Sequence, residues 1–513
     1  MNGHVGSVLR EAASRWPDRV AVVAGPDRCT YRELLDRADA LGSALLDRGV
    51  PPGGRVVAHL PNGIDLLVLV LAAWQVGAVA VPVLPAFRQW ELTHILRATE
   101  PAVVATTATR GDRHPAREFD EILAEHGLAP KARFVVGGTA PGWHPLPTRG
   151  EPAHRPAGPD ECCLVLFTSG TTSEPKGVQH NSRSLLAEAR THRDGAGLDA
   201  TTPVLIPAPV AHIGSVVACT LLPCLTGAPT VVLETWDADE AVRVIERERV
   251  ALAIGAPIFL SEILDRYERG EGREHRIPMF HTGAAPTAGT VIRRAGALGV
   301  TAWRAWGMTE APTMSLGGPG APLDLRTDTD GRITPGSEVQ AVDENGVPVP
   351  PGTPGELRVR GDKLMLGYLD PAQQAAHVDG DGWFRTGDIG ILDEQGWVTI
   401  RGRLKDVINR GGEKFSAAEI ESAIGSHPSI GAVAVLGVPD PRLGERVAAF
   451  VTVAPGHQWP GEDALLAYLR DQHLARQKLP AVWQVRAELP RTATGKLRKR
   501  DLLEEWLADA ETR

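Results

Sequence analysis

The chain has 513 residues, enough for about three or four units at ~150 residues each and for sizeable buried cores. Hydrophobic residues make up 43% and charged residues 23%, ordinary for a globular protein, and glycine with proline stays below the ~25–30% of low-complexity sequence. The net charge of −9 is spread along the chain, which argues against a general nucleic-acid binder with a basic footprint.

From the N-terminus, Met1–Arg10 lacks a basic stretch followed by an apolar core, so no secretory signal is expected. Tyr31–Arg48 is periodic and amphipathic, and Arg55–Leu60 reads as a strand. Leu66–Phe87 contains no charged residue and meets the ~18-residue length criterion for a membrane span. Gly77, Pro82 and Pro85 break it, however, and predict a buried helix over Gly63–Val76 followed by a buried strand over Gly77–Val83, with no membrane span. Helix then returns at Glu91–Ala98 and strand at Pro101–Thr106. Strand-like runs recur at Leu164–Phe167, Thr230–Leu233, Ala251–Ile254 and Thr301–Ala305, with helices Ala238–Glu248 and Phe259–Arg269 between some of them. Such alternation predicts an α/β fold with a largely parallel sheet.

After about Pro335 the texture becomes antiparallel. Glu338–Val342 and Gly355–Arg360 flank Asn345-Gly346, a hairpin signal, and Gly387–Leu392 and Gly396–Arg401 flank the turn Asp393–Gly396. Beyond Gly402 come a helix at Ala417–Gly425, strands at Ala432–Gly437 and Val447–Val453, and a helix at Glu462–His473, with a boundary near Arg403–Asp406. The five cysteines, Cys29, Cys162, Cys163, Cys219 and Cys224, lack zinc-ligand spacing and read as buried reduced thiols of a cytoplasmic protein.

The chemistry concentrates in Leu166–Gly177, where an apolar strand ends in a loop rich in glycine, serine and threonine. Small residues let backbone N–H groups approach an anion, hydroxyls donate to it, and Lys176 adds a point charge. It is not a Walker A loop, because Gly177 follows the lysine. A polar surface turn is the lesser alternative for this segment taken on its own.

Four further segments follow: Ala305–Glu310, Arg385–Asp388, Gly402–Asp406 with Gly411–Lys414, and Leu489–Lys496. Taken in this order with the loop, they resemble the adenylate-forming superfamily of acyl-CoA synthetases, peptide-synthetase adenylation domains and luciferases. Gly411–Lys414 and Ala475–Pro480 make the likeness closest to acyl- and aryl-CoA ligases. The resemblance implies a large N-terminal α/β domain of stacked sheets with an antiparallel subdomain, over residues 1–402. It further implies a hinge at 403–406 and a small, mobile α+β C-terminal domain over 407–513.

The resemblance also implies the reaction: a carboxylate attacks the α-phosphate of MgATP, and a thiol then displaces AMP. Thr168, Ser169, Gly170, Thr171, Thr172 and Lys176 would hold the β- and γ-phosphates. Glu310 would ligate Mg2+, Thr309 would donate to the α-phosphate, and Asp388 and Arg403 would meet the ribose. Trp306, where the family usually has tyrosine, would stack on adenine with Gly307 and Met308 beside it, and Gly283, Ala284 and Ala285 would line the base and the acyl group. Lys496 would bridge carboxylate and α-phosphate. His212 would gate the acyl site, Lys405 would be the hinge, and Gly411 and Gly412 would leave room for a pantetheine arm. Arg476 and Lys478 would either meet CoA phosphates or form a solvated basic helix end.

Amino-acid-activating relatives usually carry an aspartate near the stretch His212–Val217, which here has no carboxylate. This disfavours acids with a free α-amine. Val216, Ala285, Trp306, Met308 and Met314 as pocket walls suit a compact cyclic, aromatic or short-chain acid. CoA is the expected acceptor. A carrier-protein pantetheine, another nucleophile, activation of an inorganic anion such as nitrite, and a non-catalytic nucleotide binder are the alternatives.

Overall fold

A computed structural model describes residues 3–168, 175–374, 377–410, 413–472, 474–492 and 497–511. Its frame is a pair of large, mainly parallel sheets sharing one apolar core. One has eight strands, in the order Gly367–Tyr368, Lys176–Asn181, Cys162–Thr168, Val79–Pro82, Arg55–His59, Val103–Thr107, Ala132–Val136 and His144–Pro145. The other has nine and runs from Arg332–Ile333 through Thr301–Trp306 and Met279–Thr282 to the N-terminal hairpin Val20–Ala24 and Asp27–Thr30.

Strand alternation builds the layers. Val56 and Ala58 point into the central cluster while Val57 joins a flanking one, and in the second sheet Val22 faces the centre while Val23 faces away. The central layer holds the helices Ile64–Gln75 and Ile213–Thr226, apolar around most of their circumference and buried almost throughout. The charge-free run is therefore a core helix followed by a strand: the helix ends at Gln75, the strand begins at Val79, and the Trp74 indole N–H donates to the Cys163 carbonyl at 2.8 Å. Among the described residues, no helix is long and apolar enough to cross a membrane.

The antiparallel subdomain is a four-stranded sheet of Ser337–Val342, Gly355–Gly361, Phe384–Leu392 and Val398–Arg403. The antiparallel strands expected on either side of Asn345-Gly346 are present. The flanking strands pair, with Val342 opposite Glu356, but 343–354 form a longer connection between them. Within it the Asp343 carboxylate accepts from the N–H groups of Asn345 and Val347, both at 2.9 Å, so the Asn-Gly pair tips a local turn instead of joining the strands.

The C-terminal sheet is built from Glu413–Ser416, Val407–Arg410, Gly444–Val453, Ile430–Asp440 and Val482–Val485, with its own apolar clusters around Ile420 and Phe450. A short 3₁₀ turn, Leu404–Asp406, links it to the subdomain. All five cysteines are free thiols, four of them buried.

Leu67 is fully buried in the central helix. Leu67→Ala should lower the stability of the large domain by about 2–5 kcal/mol, read from the urea unfolding midpoint; a change below about 1 kcal/mol would contradict a packed core at that position.

Candidate functional site

The site forms where loops leave the C-terminal ends of parallel strands, the usual crevice of an open α/β sheet. Met279–Thr282 and Thr301–Trp306 pair in parallel register, Thr282 beside Arg304, so their loops emerge at one edge. The first carries Gly283, Ala284 and Ala285, with Ala284 held in the left-handed region at φ +66. The second carries Gly307, Met308, Thr309 and Glu310. A side chain at Gly307 would come within 2.4 Å of the Thr313 backbone nitrogen, so only glycine permits this tight turn.

Trp306 is buried, and its indole N–H donates to Asp388 Oδ2 at 2.8 Å. Arg403 Nε lies 2.8 Å from the other oxygen, Asp388 Oδ1. Asp388 is thus fixed from two sides, yet each oxygen of a carboxylate keeps acceptor capacity after one bond. Tryptophan in place of the family's tyrosine therefore supplies a donor of its own to the carboxylate.

The Tyr368 hydroxyl donates to Glu310 Oε1 at 2.9 Å, while burial and that carboxylate push the phenol's pKa up, keeping it protonated. Lys176 Nζ sits over the same ring, 5.3 Å from its centroid. The ammonium also donates to His377 Nε2 at 3.2 Å; burial and Lys176 lower the histidine's pKa and leave its imidazole neutral to accept. Thr168 pairs with Lys176 at the mouth of the hairpin whose loop contains Ser169, Gly170, Thr171 and Thr172, which lie outside the described residues.

The Thr309 carbonyl accepts from His180 Nε2 at 2.7 Å. His212 caps the Ile213–Thr226 helix with extended backbone, and Lys405 lies in the Leu404–Asp406 turn. Lys478 is paired with Glu419 at 2.6 Å, so its charge is already engaged. Gly411, Gly412 and Lys496 lie outside the described residues.

Sequence reasoning missed Tyr368, His377 and His180. None of them falls in a motif: Tyr368 and His377 come from a different part of the chain than the residues they touch, and His180 lies just beyond the phosphate-loop segment, with nothing to mark its contact with Thr309. A single carboxylate suits Mg2+, which binds through one or two carboxylates plus substrate phosphates. No group of three or more potential metal ligands occurs among the described residues.

A family model described as AMP-binding enzyme matches residues 9–369, and one described as AMP-binding enzyme C-terminal domain matches residues 419–496. The chain belongs to this family, as an AMP-forming acyl-CoA synthetase. The enzyme is 35% identical over 520 residues to a salicylyl-CoA synthase / salicylate adenylyltransferase of Streptomyces sp, covering 97% of this chain and 93% of that protein. It is 30% identical over 505 residues to a medium-chain fatty-acid–CoA ligase of Escherichia coli (strain K12), covering 96% and 88%. ATP-bound MatB from Rhodopseudomonas palustris matches its fold with a TM-score of 0.87 at 28% identity over 99% of each chain.

Burial holds the enzyme's His180 pKa down, from 6.5 to about 4. Between those values the unfolded chain takes a proton that the folded chain refuses, so folding stability declines as pH falls through this window and the loss stops near pH 4. The urea midpoint of His180→Gln should therefore depend less steeply on pH between 6.5 and 4 than that of the parent; equal slopes would contradict a neutral buried imidazole at Thr309.

Proposed function

We propose that the enzyme activates a small cyclic, aromatic or short-chain carboxylic acid and passes it to the thiol of CoA. The carboxylate oxygen bonds to the α-phosphorus of ATP as the bond to the bridging oxygen breaks, releasing pyrophosphate and giving acyl-AMP. The thiol sulfur then bonds to the acyl carbon, losing its proton, and AMP leaves with the electron pair of the C–O bond.

The observation that carries this reading is the Lys176–Tyr368–Glu310 arrangement. A cation and a hard carboxylate flank one tyrosine ring, with the ammonium 5.3 Å from its centroid and the carboxylate 2.9 Å from its hydroxyl. That pairing suits a triphosphate held by Lys176 and the 168–172 loop. Mg2+ bound through Glu310 would offset the phosphate charge. Thr309, its carbonyl pinned by His180, is proposed as donor to the α-phosphate. Asp388 and Arg403 are proposed for the ribose, and Trp306, Gly307, Met308 and Gly283–Ala285 for the base and acyl walls.

Residues 1–402 and 407–513 are proposed as the two domains, swinging about 403–406 with Lys405 as hinge. In one arrangement Lys496 would approach the reacting carboxylate, and in the other Gly411 and Gly412 would admit pantetheine past His212. Five free thiols accord with the cytoplasm, where we place the enzyme.

Pyrophosphate release across an acid panel, with and without CoA and with products identified by mass spectrometry, tests the reading. Acid-dependent release with an acyl-CoA product is expected; release with no dependence on acid would overturn it. Lys496→Ala should cripple adenylation while sparing thioester formation from supplied acyl-AMP, and Lys405→Pro should do the reverse. Loss of both half-reactions in either variant, measured separately, would contradict the two-arrangement scheme.

A further inference from the structure

A cluster of buried charge lies beside the site and is not used by the mechanism above. Glu188 and His192 are one turn apart on the helix Ser182–Ala196, both buried, and Lys363 is 1% exposed. Glu188 Oε1 accepts from His192 Nε2 at 2.8 Å and from the Thr313 hydroxyl at 2.6 Å. Lys363 Nζ donates to the Thr313 carbonyl at 2.6 Å, to Thr191 Oγ1 at 3.3 Å and to the Thr334 hydroxyl. Burial alone would raise the Glu188 pKa, but His192, Lys363 and the donors outweigh it and hold it down to about 2, so the carboxylate is ionised.

Its second oxygen, Oε2, is buried and has no hydrogen-bond partner among the described residues. An ionised oxygen taken out of water without a donor carries a desolvation cost that native structures rarely keep unless a bound group completes the bond. A second orphan lies close by. The His192 ring is 5.1 Å from that of His281, which stacks on Trp303, and Trp303 Nε1 is also buried without a partner among the described residues.

The surroundings point to what completes them. His281 is in the strand Met279–Thr282, which leads into Gly283–Ala285, and Thr313 follows the loop bearing Thr309 and Glu310, at φ +34. The Ser182–Ala196 helix packs against the helix capped by His212. Glu188 is thus bracketed by the three segments proposed to enclose the acyl group.

We propose that Glu188 is a specificity-determining residue whose Oε2 accepts a hydrogen bond from a donor on the acid, an amino or hydroxyl substituent remote from the reacting carboxylate. This rests on the acid-activation reading and narrows its substrate class to amino- or hydroxy-substituted acids. It leaves the inference drawn from His212–Val217 in place, because the donor that Glu188 meets is remote from the reacting carboxylate and is not an α-amine.

The test compares matched acids on the full-length enzyme by pyrophosphate release: benzoate against its amino and hydroxy derivatives, cyclohexanecarboxylate against its amino and hydroxy derivatives, and propionate against 3-aminopropionate and 3-hydroxypropionate. The best donor-bearing acid should exceed its parent in kcat/KM by roughly 100-fold, since a site built to bond a substrate donor rejects the analogue lacking it. Glu188→Gln should erase at least about tenfold of that ratio, mainly by weakening the donor-bearing acid, whereas a purely structural role would lower both acids alike. Should that variant fail to fold, the parent enzyme's ratio decides by itself. Matched acids used equally well by the parent enzyme, or lowered equally by Glu188→Gln, would overturn the proposal while leaving acid activation standing. No release with any acid would overturn both.

Discussion

Two anions have to be brought into contact for this chemistry, and that repulsion constrains everything around the site. Unit charges 4 Å apart oppose each other by about 4 kcal/mol at an effective dielectric of ~20, and a triphosphate carries several such charges. The answer offered by this fold is positive charge and oriented donors set in place before the substrates arrive. Lys176 is fixed between a neutral His377 and the face of Tyr368, and the same tyrosine orients Glu310. A preorganised arrangement of this kind needs little reorganisation as charge develops, which is what makes electrostatic stabilisation effective.

The stacked sheets explain how residues so far apart in sequence reach one place. Parallel register between Met279–Thr282 and Thr301–Trp306 delivers two loops to the same edge, and Gly367–Tyr368 is hydrogen-bonded to the strand that begins with Lys176. The antiparallel subdomain contributes Asp388, which Trp306 and Arg403 hold from either side. Arg403 itself ends the last strand before the Leu404–Asp406 turn, so the proposed ribose contact and the proposed hinge are neighbours. A swing at the turn would be felt at the nucleotide.

Much of the fold was legible in the sequence because its signals are local. The helices Ala238–Glu248 and Ala417–Gly425 begin and end where periodicity places them, and the breakers after Val76 separate a core helix from a membrane span. The Asn345-Gly346 signal gives the antiparallel pairing of its flanking strands but not the length of the connection between them, in which the Asp343 side chain shapes the local turn. The candidate site was legible only where motifs mark it. Tyr368 and His377 act through contacts across the fold, and nothing at Glu188 distinguishes a helix-surface glutamate from one facing Thr313, 125 residues away. Burial, which turns an ordinary carboxylate into one that demands a partner, is a property of the packed chain alone.

The most direct test of the central claim is the fate of an isotope. With both oxygens of the favoured acid's carboxylate labelled as 18O, one labelled oxygen should appear in AMP after complete turnover with CoA, and none in pyrophosphate. That transfer requires the carboxylate to have bonded to the α-phosphorus. Label in pyrophosphate or inorganic phosphate, or unlabelled AMP alongside acyl-CoA, would mean that the two anions meet at a different phosphorus or not at all.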